Sequence, residues 1–169
     1  MNSYMILLLA LSAMGAAMLG IFQRWRRSRE VPADGAPGLI PAPGEDSVAV
    51  DQYLYDRCCR YMTERRPFLV ETFTLQDLAN AVYTNKGYLS KTINHLSGRN
   101  FRQYVNYYRV MYAMELYRNN MSLRVSDLSQ LSGFHSTTSF FQSFKNVMGE
   151  PPSHWCSRVR EKHIKSLKT

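Results

Sequence analysis

The same spacing of apolar and polar residues occurs twice in the chain, from Leu75 to Gly98 and again from Val125 to Gly149. In each copy apolar residues recur every three or four positions, first over a short segment and then, after a turn, over a longer one closed by glycine. A short helix and a longer helix joined by a tight turn form a helix-turn-helix. The sequence therefore predicts an all-α domain built around two such units.

In the first unit the pattern predicts a short helix over 75–82, a turn at 83–85 and a longer helix over 86–97. Thr74 and Asp77 have the spacing of a capping box, which starts the short helix. A step of about 100° per residue gives the longer helix an apolar and a polar face. The apolar face holds Leu89, Ile93 and Leu96. The candidate contact residues on the polar side are Lys86, Gly87, Ser90, Lys91, Asn94 and, at the edge, His95.

The second unit predicts a short helix anchored by Leu128 and Leu131, followed by a turn at 132–134. A longer helix follows over 136–148, with Ser136 as its N-terminal cap. Its apolar line consists of Phe140, Phe144 and Val147. The candidate contact residues in the turn and on the opposite face are His135, Ser136, Thr138, Ser139, Gln142 and Lys145.

Three further helices complete the predicted domain. The first runs from Asp51 to Arg66 before Pro67, the second from Phe101 to Asn119 between the two units, and the last begins at Pro151-Pro152 and carries Trp155. The first has a stripe that we expect to be buried, made of Tyr53, Leu54, Cys58, Tyr61 and Met62. At a rise of 1.5 Å per residue the linking helix is roughly 28 Å long, close to the roughly 34 Å of one DNA turn. Such a helix would place the two units in adjacent major grooves.

The N-terminal segment has the pattern of a membrane anchor. Residues 4–22 carry no charge, and a helix of this length spans the roughly 30 Å hydrocarbon core of a bilayer. Arginine occurs only on the C-terminal side of this run, at Arg24, Arg26, Arg27 and Arg29. The positive-inside rule then places the N-terminus outside and the rest of the chain in the cytoplasm. A secretory signal peptide, the rival interpretation, needs basic residues before a shorter apolar run.

We therefore predict one single-pass transmembrane helix with a basic cytoplasmic flank over residues 1–30, at the inner membrane. Residues 31–50 are rich in proline and glycine and predict a flexible linker before a domain over 51–169. Small residues recur at Ser12, Ala16 and Gly20. Such a stripe favours close helix packing, so homodimerisation through the membrane helix is a hypothesis.

The charge of the chain is concentrated in the predicted domain. Residues 51–169 contain 17 Lys and Arg against 9 Asp and Glu, and the whole chain has a net charge of +8. A basic surface of this kind fits a polyanion such as DNA. The three cysteines lack both a disulfide framework and the spacing of a metal site. No catalytic set can be assembled from the sequence, so we expect no enzyme, cofactor or metal.

Over roughly residues 68–155 the chain resembles the AraC/XylS family of bacterial transcriptional regulators, whose helix-turn-helix units are homeodomain-like. The residues that carry the resemblance are Tyr88–Lys91, Gly98, Phe101, Tyr104, Arg109, Ala113, Gly133, Phe134, Phe140, Phe144, Lys145, Gly149, Pro152 and Trp155. The resemblance implies binding of double-stranded promoter DNA in adjacent major grooves and contact with RNA polymerase. Lys91 and Gln142 stand where the family often has arginine, and a membrane helix replaces its usual sensory domain.

Two functions are compatible with these patterns. The first is a sequence-specific, DNA-binding transcriptional regulator tethered to the cytoplasmic membrane, which reads DNA with helices 86–97 and 136–148. The alternative is a membrane-attached helical interaction module that binds anionic lipid or a protein through its basic surface. Only the first requires selectivity for a DNA sequence.

Overall fold

The computed structural model describes residues 46–166, and the side chains from Asp51 onward. In this range the chain forms seven α-helices and no strand. A 3₁₀ turn (Pro67–Leu69) lies between the first two helices. The helices are α1 (Asp46–Arg65), α2 (Leu75–Ala81), α3 (Lys86–Ser97), α4 (Phe101–Asn119), α5 (Val125–Leu131), α6 (Thr137–Met148) and α7 (Pro152–Ser166).

The predicted transmembrane helix, its basic flank and most of the 31–50 linker lie outside the described residues. Helix α1 begins at Asp46 rather than at Asp51, so the last residues of the predicted linker belong to this helix. No proline or glycine follows Gly44 before the helix, which leaves nothing to break it there. Among residues 46–166, no helix has both the length and the apolar character that crossing a bilayer requires.

The buried stripe of α1 was predicted with one error. Leu54, Cys58 and Met62 are buried, but Tyr53 is 65% exposed and Tyr55 is only 8% exposed. The stripe extends toward Tyr55 because that ring packs against Tyr104 of α4, with the ring centroids 6.0 Å apart. The periodicity of the sequence predicts where the buried stripe lies, but the position of α4 determines that Tyr55 and not Tyr53 is buried beside it.

The first helix-turn-helix consists of α2 and α3, and we count the 3₁₀ turn and the residues that lead into α2 as part of the same unit. Local capping bonds fix the boundaries of the two helices. The capping box is confirmed, since Asp77 N donates to Thr74 Oγ1 at 3.2 Å and Thr74 N donates to the Asp77 carboxylate at 2.8 Å. Asn85 caps α3 by accepting from Tyr88 N at 2.8 Å. Gly98 ends α3 at φ +66°, in the left-handed region that glycine adopts readily.

The second unit is α5 and α6, and it differs from the prediction at one residue. Leu128 is buried, but Leu131 is 52% exposed. The places next to Leu128 in the core are taken by Ser129 and Ser132. The Ser132 hydroxyl is satisfied there because it donates to the Leu128 carbonyl at 2.5 Å. Ser136 caps α6, as predicted, by accepting from Ser139 N at 3.2 Å.

Helix α4 has the predicted boundaries and belongs to both halves of the domain. Its N-terminal part supplies Tyr104 and Val105 to a core shared with α1, α2 and α3. Its C-terminal part supplies Val110, Ala113 and Tyr117 to a second core shared with α5, α6 and α7. The two units are therefore built on one continuous helix, as the sequence predicts.

Helix α7 closes the second core. Trp155 is buried, and its ring lies 5.9 Å from that of Tyr117 and 5.8 Å from that of Phe144, centroid to centroid. Both contacts are edge-on, the arrangement that aromatic pairs favour. The resulting aromatic cluster supports the buried side of α6 and so leaves its polar side outward.

Candidate DNA interface

Helix α3 is held from behind and presents its polar side outward. Leu89 and Ile93 are fully buried in the first core, against α1 and α4. Thr92, which the sequence analysis did not assign, is buried too, and its hydroxyl donates to Asp51 of α1 at 3.0 Å. The predicted contact residues of α3 are all exposed: Lys86, Gly87, Ser90, Lys91, Asn94 and His95.

Helix α6 has the same arrangement in the second unit. Phe140 and Phe144 are buried, and their rings are 5.5 Å apart between centroids. Gln142 donates to Asn146 at 3.0 Å, so an exposed amide and its neighbour are already ordered on the outer face. The predicted contact residues Ser136, Thr138, Gln142 and Lys145 are exposed, and Ser139 is half-buried.

His135 is exposed in the turn but has a partner in the first unit. Its Nδ1 atom pairs with the carboxylate of Glu71, which follows the 3₁₀ turn. A phosphate contact by His135 therefore competes with this carboxylate. Local patterns cannot predict this pair, because the two residues are 64 positions apart along the chain.

A cleft of about 480 Å³ separates the two units beside His135. Arg102 and Asn106 of α4 line it, and neither was among the predicted contact residues. Asn106 also donates to Ser143 of α6 at 3.0 Å, which ties α6 to the middle of α4. Arg102 and Asn106 line the cleft because of the way α6 packs near α4, and the periodicity of the sequence does not reveal that packing.

The turn of the first unit carries a second feature that the sequence analysis missed. Tyr83 is 88% exposed and has a positive φ of 51°, which is uncommon for a residue other than glycine. The Arg57 guanidinium of α1 lies 5.8 Å from the centroids of both the Tyr83 and Tyr53 rings. In the sequence, the only indication of this feature is that a large aromatic residue, Tyr83, stands in a predicted turn.

The buried tyrosine and cysteine side chains around Tyr104 are part of the first core. Tyr104 lies within 3.7 Å of the Cys59 sulfur and 3.4 Å of the Tyr108 hydroxyl oxygen. Burial raises the pKa of Tyr104 well above its ordinary value, and burial raises the pKa of the Cys58 thiol to about 12. No group of three or more metal-binding side chains occurs among residues 46–166. These groups stabilise the first core and do not face the cleft.

Two capped helices with polar outer faces, carried on one linking helix, define a DNA-binding protein of the helix-turn-helix class. A family model described as a helix-turn-helix domain matches residues 78–158. No curated protein sequence matches the chain.

Solved structures share this fold. A DNA-binding transcriptional dual regulator from Escherichia coli K-12 is 18% identical with a TM-score of 0.54, and the match covers 64% of this chain and 93% of that one. The DNA-binding domain of AdpA, solved in complex with a target DNA, is 19% identical with a TM-score of 0.52, covering 64% and 94%. A protein of unknown function from Listeria innocua is 27% identical with a TM-score of 0.51, covering 61% and 94%.

Residues 78–158 belong to the AraC-type helix-turn-helix family, so the predicted resemblance is confirmed over this range. The matched residues are therefore a DNA-binding domain of the kind found in AraC-type transcriptional regulators. The family is one of DNA-binding regulators and not of enzymes.

Proposed function

We propose that α3 and α6 each enter a major groove of the same promoter DNA, in successive turns of the duplex. The observation that carries this proposal is the matched arrangement of the two helices on α4. Each is capped at its N-terminus by a side-chain oxygen, at Asn85 and at Ser136, and each turns a polar face away from its core. A helix of this kind in the major groove reads base edges with its outward residues.

Individual side chains suit different parts of the DNA. The Gln142 amide can form two hydrogen bonds with adenine, and Lys91 can donate to guanine or to a phosphate. Ser136 accepts from the backbone with its oxygen, so its hydroxyl hydrogen is free to donate to a phosphate near the positive end of α6. The remaining predicted contact residues would bind DNA phosphates and so fix the position of the domain along the duplex.

We further propose that the DNA-binding domain is tethered to the cytoplasmic membrane through residues 4–22, with the N-terminus outside. The support is the uncharged run of those residues and the arginines at 24–29 that follow it. Under this proposal the linker lets the domain reach DNA next to the bilayer. Contact with RNA polymerase and homodimerisation through Ser12, Ala16 and Gly20 are parts of the same proposal.

The DNA-reading proposal can be tested by selecting duplexes from a random pool with the full chain in lipid nanodiscs. We expect a selected motif with two parts about one helical turn apart. The Lys91→Ala, Gln142→Ala double variant should lose at least roughly tenfold in affinity for that motif over random DNA, since each base contact contributes ~1–3 kcal/mol of discrimination.

The matched control is Gln130→Ala with Lys162→Ala, which removes the same charge and the same amide from exposed positions of α5 and α7. This control should retain the selectivity of the wild-type protein. If no motif is selected, or if both double variants behave alike, the proposed reading by α3 and α6 is wrong. Binding to anionic nanodiscs without any selected motif would favour the lipid or protein interaction module.

A further inference from the structure

Contacts between the two helix-turn-helix units converge where the 3₁₀ turn of the first unit meets the turn before α6. We call this place the inter-unit corner and define it by Phe68–Glu71, Arg109 and Gly133–His135. The Glu71–His135 pair is one of its contacts. The 3₁₀ turn leads into α2, which packs against α3, and the other turn leads directly into α6. Contacts at the corner therefore influence the position of α3 relative to α6.

Arg109 is the side chain at the centre of the corner. It projects from α4 and is only 9% exposed. Its Nε donates to the Phe68 carbonyl at 2.6 Å, and one terminal nitrogen donates to the Val70 carbonyl at 3.1 Å. Its guanidinium carbon lies 5.6 Å from the centroid of the Phe134 ring. One buried arginine thus holds the first unit by two hydrogen bonds and the second by a cation–π contact.

Gly133 lets the two turns approach each other closely. Its φ is +80°, and a Cβ atom added there would lie 2.8 Å from the Phe68 carbonyl oxygen and 2.9 Å from Leu69 Cα. Those atoms are main chain and cannot move aside without shifting the turn. Gly149 has a similar φ of +76°, but an added Cβ would meet nothing within 4 Å.

The second recognition helix is fixed to the same part of α4. The Asn106 amide donates to Ser143 of α6 at 3.0 Å, one helical turn before Arg109. The corner and this bond together restrict both the distance and the rotation of the second unit relative to the first. Neither group lies on the outer faces proposed to touch DNA.

We propose that Arg109 is a positioning residue that fixes the spacing and rotation of α3 relative to α6, and so sets the separation of the two DNA subsites. The inference rests on the proposed two-groove function. One added base pair moves the second subsite by about 3.4 Å and turns it by about 35° around the duplex. A rigid pair of helices cannot follow that change, whereas a loosened pair can.

The test uses the full chain in nanodiscs and three kinds of DNA: the selected two-part site, the same site with one or two base pairs inserted, and a single subsite. We expect one inserted base pair to weaken wild-type binding at least roughly tenfold, equivalent to ~1.4 kcal/mol. In Arg109→Leu that penalty should fall below about threefold, with single-subsite affinity changed less than about threefold. Arg109→Lys should behave similarly, because a lysine lacks the fork that reaches two carbonyls.

Arg160→Leu is the matched control. Arg160 also donates to a main-chain carbonyl, that of Met121 at 2.9 Å, and its guanidinium lies 5.9 Å from the Tyr117 ring centroid. Both contacts lie within the second half of the domain, so this variant should keep the wild-type spacing penalty. Circular dichroism establishes that each variant is folded.

A second pair covers the case in which Arg109→Leu does not fold. Gly133→Ala adds both backbone strain and a clash with the first unit, whereas Gly149→Ala adds only the strain. We expect Gly133→Ala alone to change the preferred spacing. An unchanged spacing penalty in both the Arg109 variants and Gly133→Ala would overturn the inference and leave two-groove binding intact. A wild-type protein that binds single and double subsites equally would overturn the two-groove function, and the inference with it.

Discussion

Single capping residues make the two units different at their N-terminal ends. In the first, Thr74 and Asp77 exchange bonds in both directions, and the Thr74 hydroxyl, with help from its main chain, lowers the pKa of the Asp77 carboxyl. In the second, Arg124 N donates to the Asp127 carboxylate at 3.0 Å, but arginine has no acceptor to return the bond. Because the Asp77 pKa is lowered by folding, its stabilising effect is present at neutral pH and is lost as the pH falls through its carboxyl range.

The cap difference predicts opposite effects from two substitutions. Thr74→Ala should destabilise the domain by ~1 kcal/mol because it leaves Asp77 N without its acceptor. Arg124→Thr should stabilise by a similar amount because it completes the second capping box. Urea unfolding gives the free energies, and amide hydrogen exchange assigns them to α2 and α5. If exchange at the start of α5 were unchanged in Arg124→Thr, the cap assignment would be wrong.

At the scale of elements, α1 shows how packing decides between neighbouring positions. Tyr53 and Tyr55 have the same side chain and lie on the same helix, but only Tyr55 faces the first core. The chain thus offers a matched pair of tyrosines on one helix that differ chiefly in how deeply their rings are buried.

This pair leads to a prediction about stability. Tyr55→Ala should cost ~3 kcal/mol or more, because it removes a buried ring and its contact with Tyr104. Tyr53→Ala should lie within ~0.5 kcal/mol of the wild type, since exposed substitutions rarely exceed that. Urea unfolding of the two variants measures the difference. Equal losses would mean that both rings are buried in solution, contrary to the structure.

The same comparison explains what the sequence could predict. The starts of α2 and α6 followed correctly from the caps at Thr74 and Ser136, and the end of α3 from Gly98, because those interactions are made within a few residues. The outward residues of α3 and α6 followed from periodicity for the same reason. Tyr53, Leu131 and the buried Arg109 could not be placed, because their surroundings are set by contacts with distant segments. Whether the exposed residues touch DNA stays a prediction.

For the whole molecule, the proposed membrane tether predicts where the protein is found. We expect the full chain to sediment with membranes and to resist extraction at alkaline pH, since a spanning helix is held by its apolar length. Deleting residues 1–30 should release the protein while leaving sequence-selective DNA binding intact. Western blotting of cell fractions and a DNA-binding assay check the two halves of the prediction.

A control for the tether replaces the arginines at 24, 26, 27 and 29 with glutamine. This variant should stay in the membrane fraction but lose its fixed orientation, because the charge asymmetry sets the topology. Protease added outside spheroplasts reports the orientation. Recovery of the full chain in the soluble fraction would contradict the tether and leave the DNA-binding domain unaffected.

The place at which the chain enters the DNA-binding domain has a mechanical consequence. It enters through α1, which lies on the back of α3 and is joined to it by the Thr92–Asp51 bond. A pull on the chain before Asp46 therefore loads α3 first, while α6 is shielded by the length of α4. If the proposed tether and the proposed reading by α3 and α6 hold, the two subsites would not be equivalent under tension, and the one at α3 would be released first. The domain would then have a leading and a trailing end along the DNA.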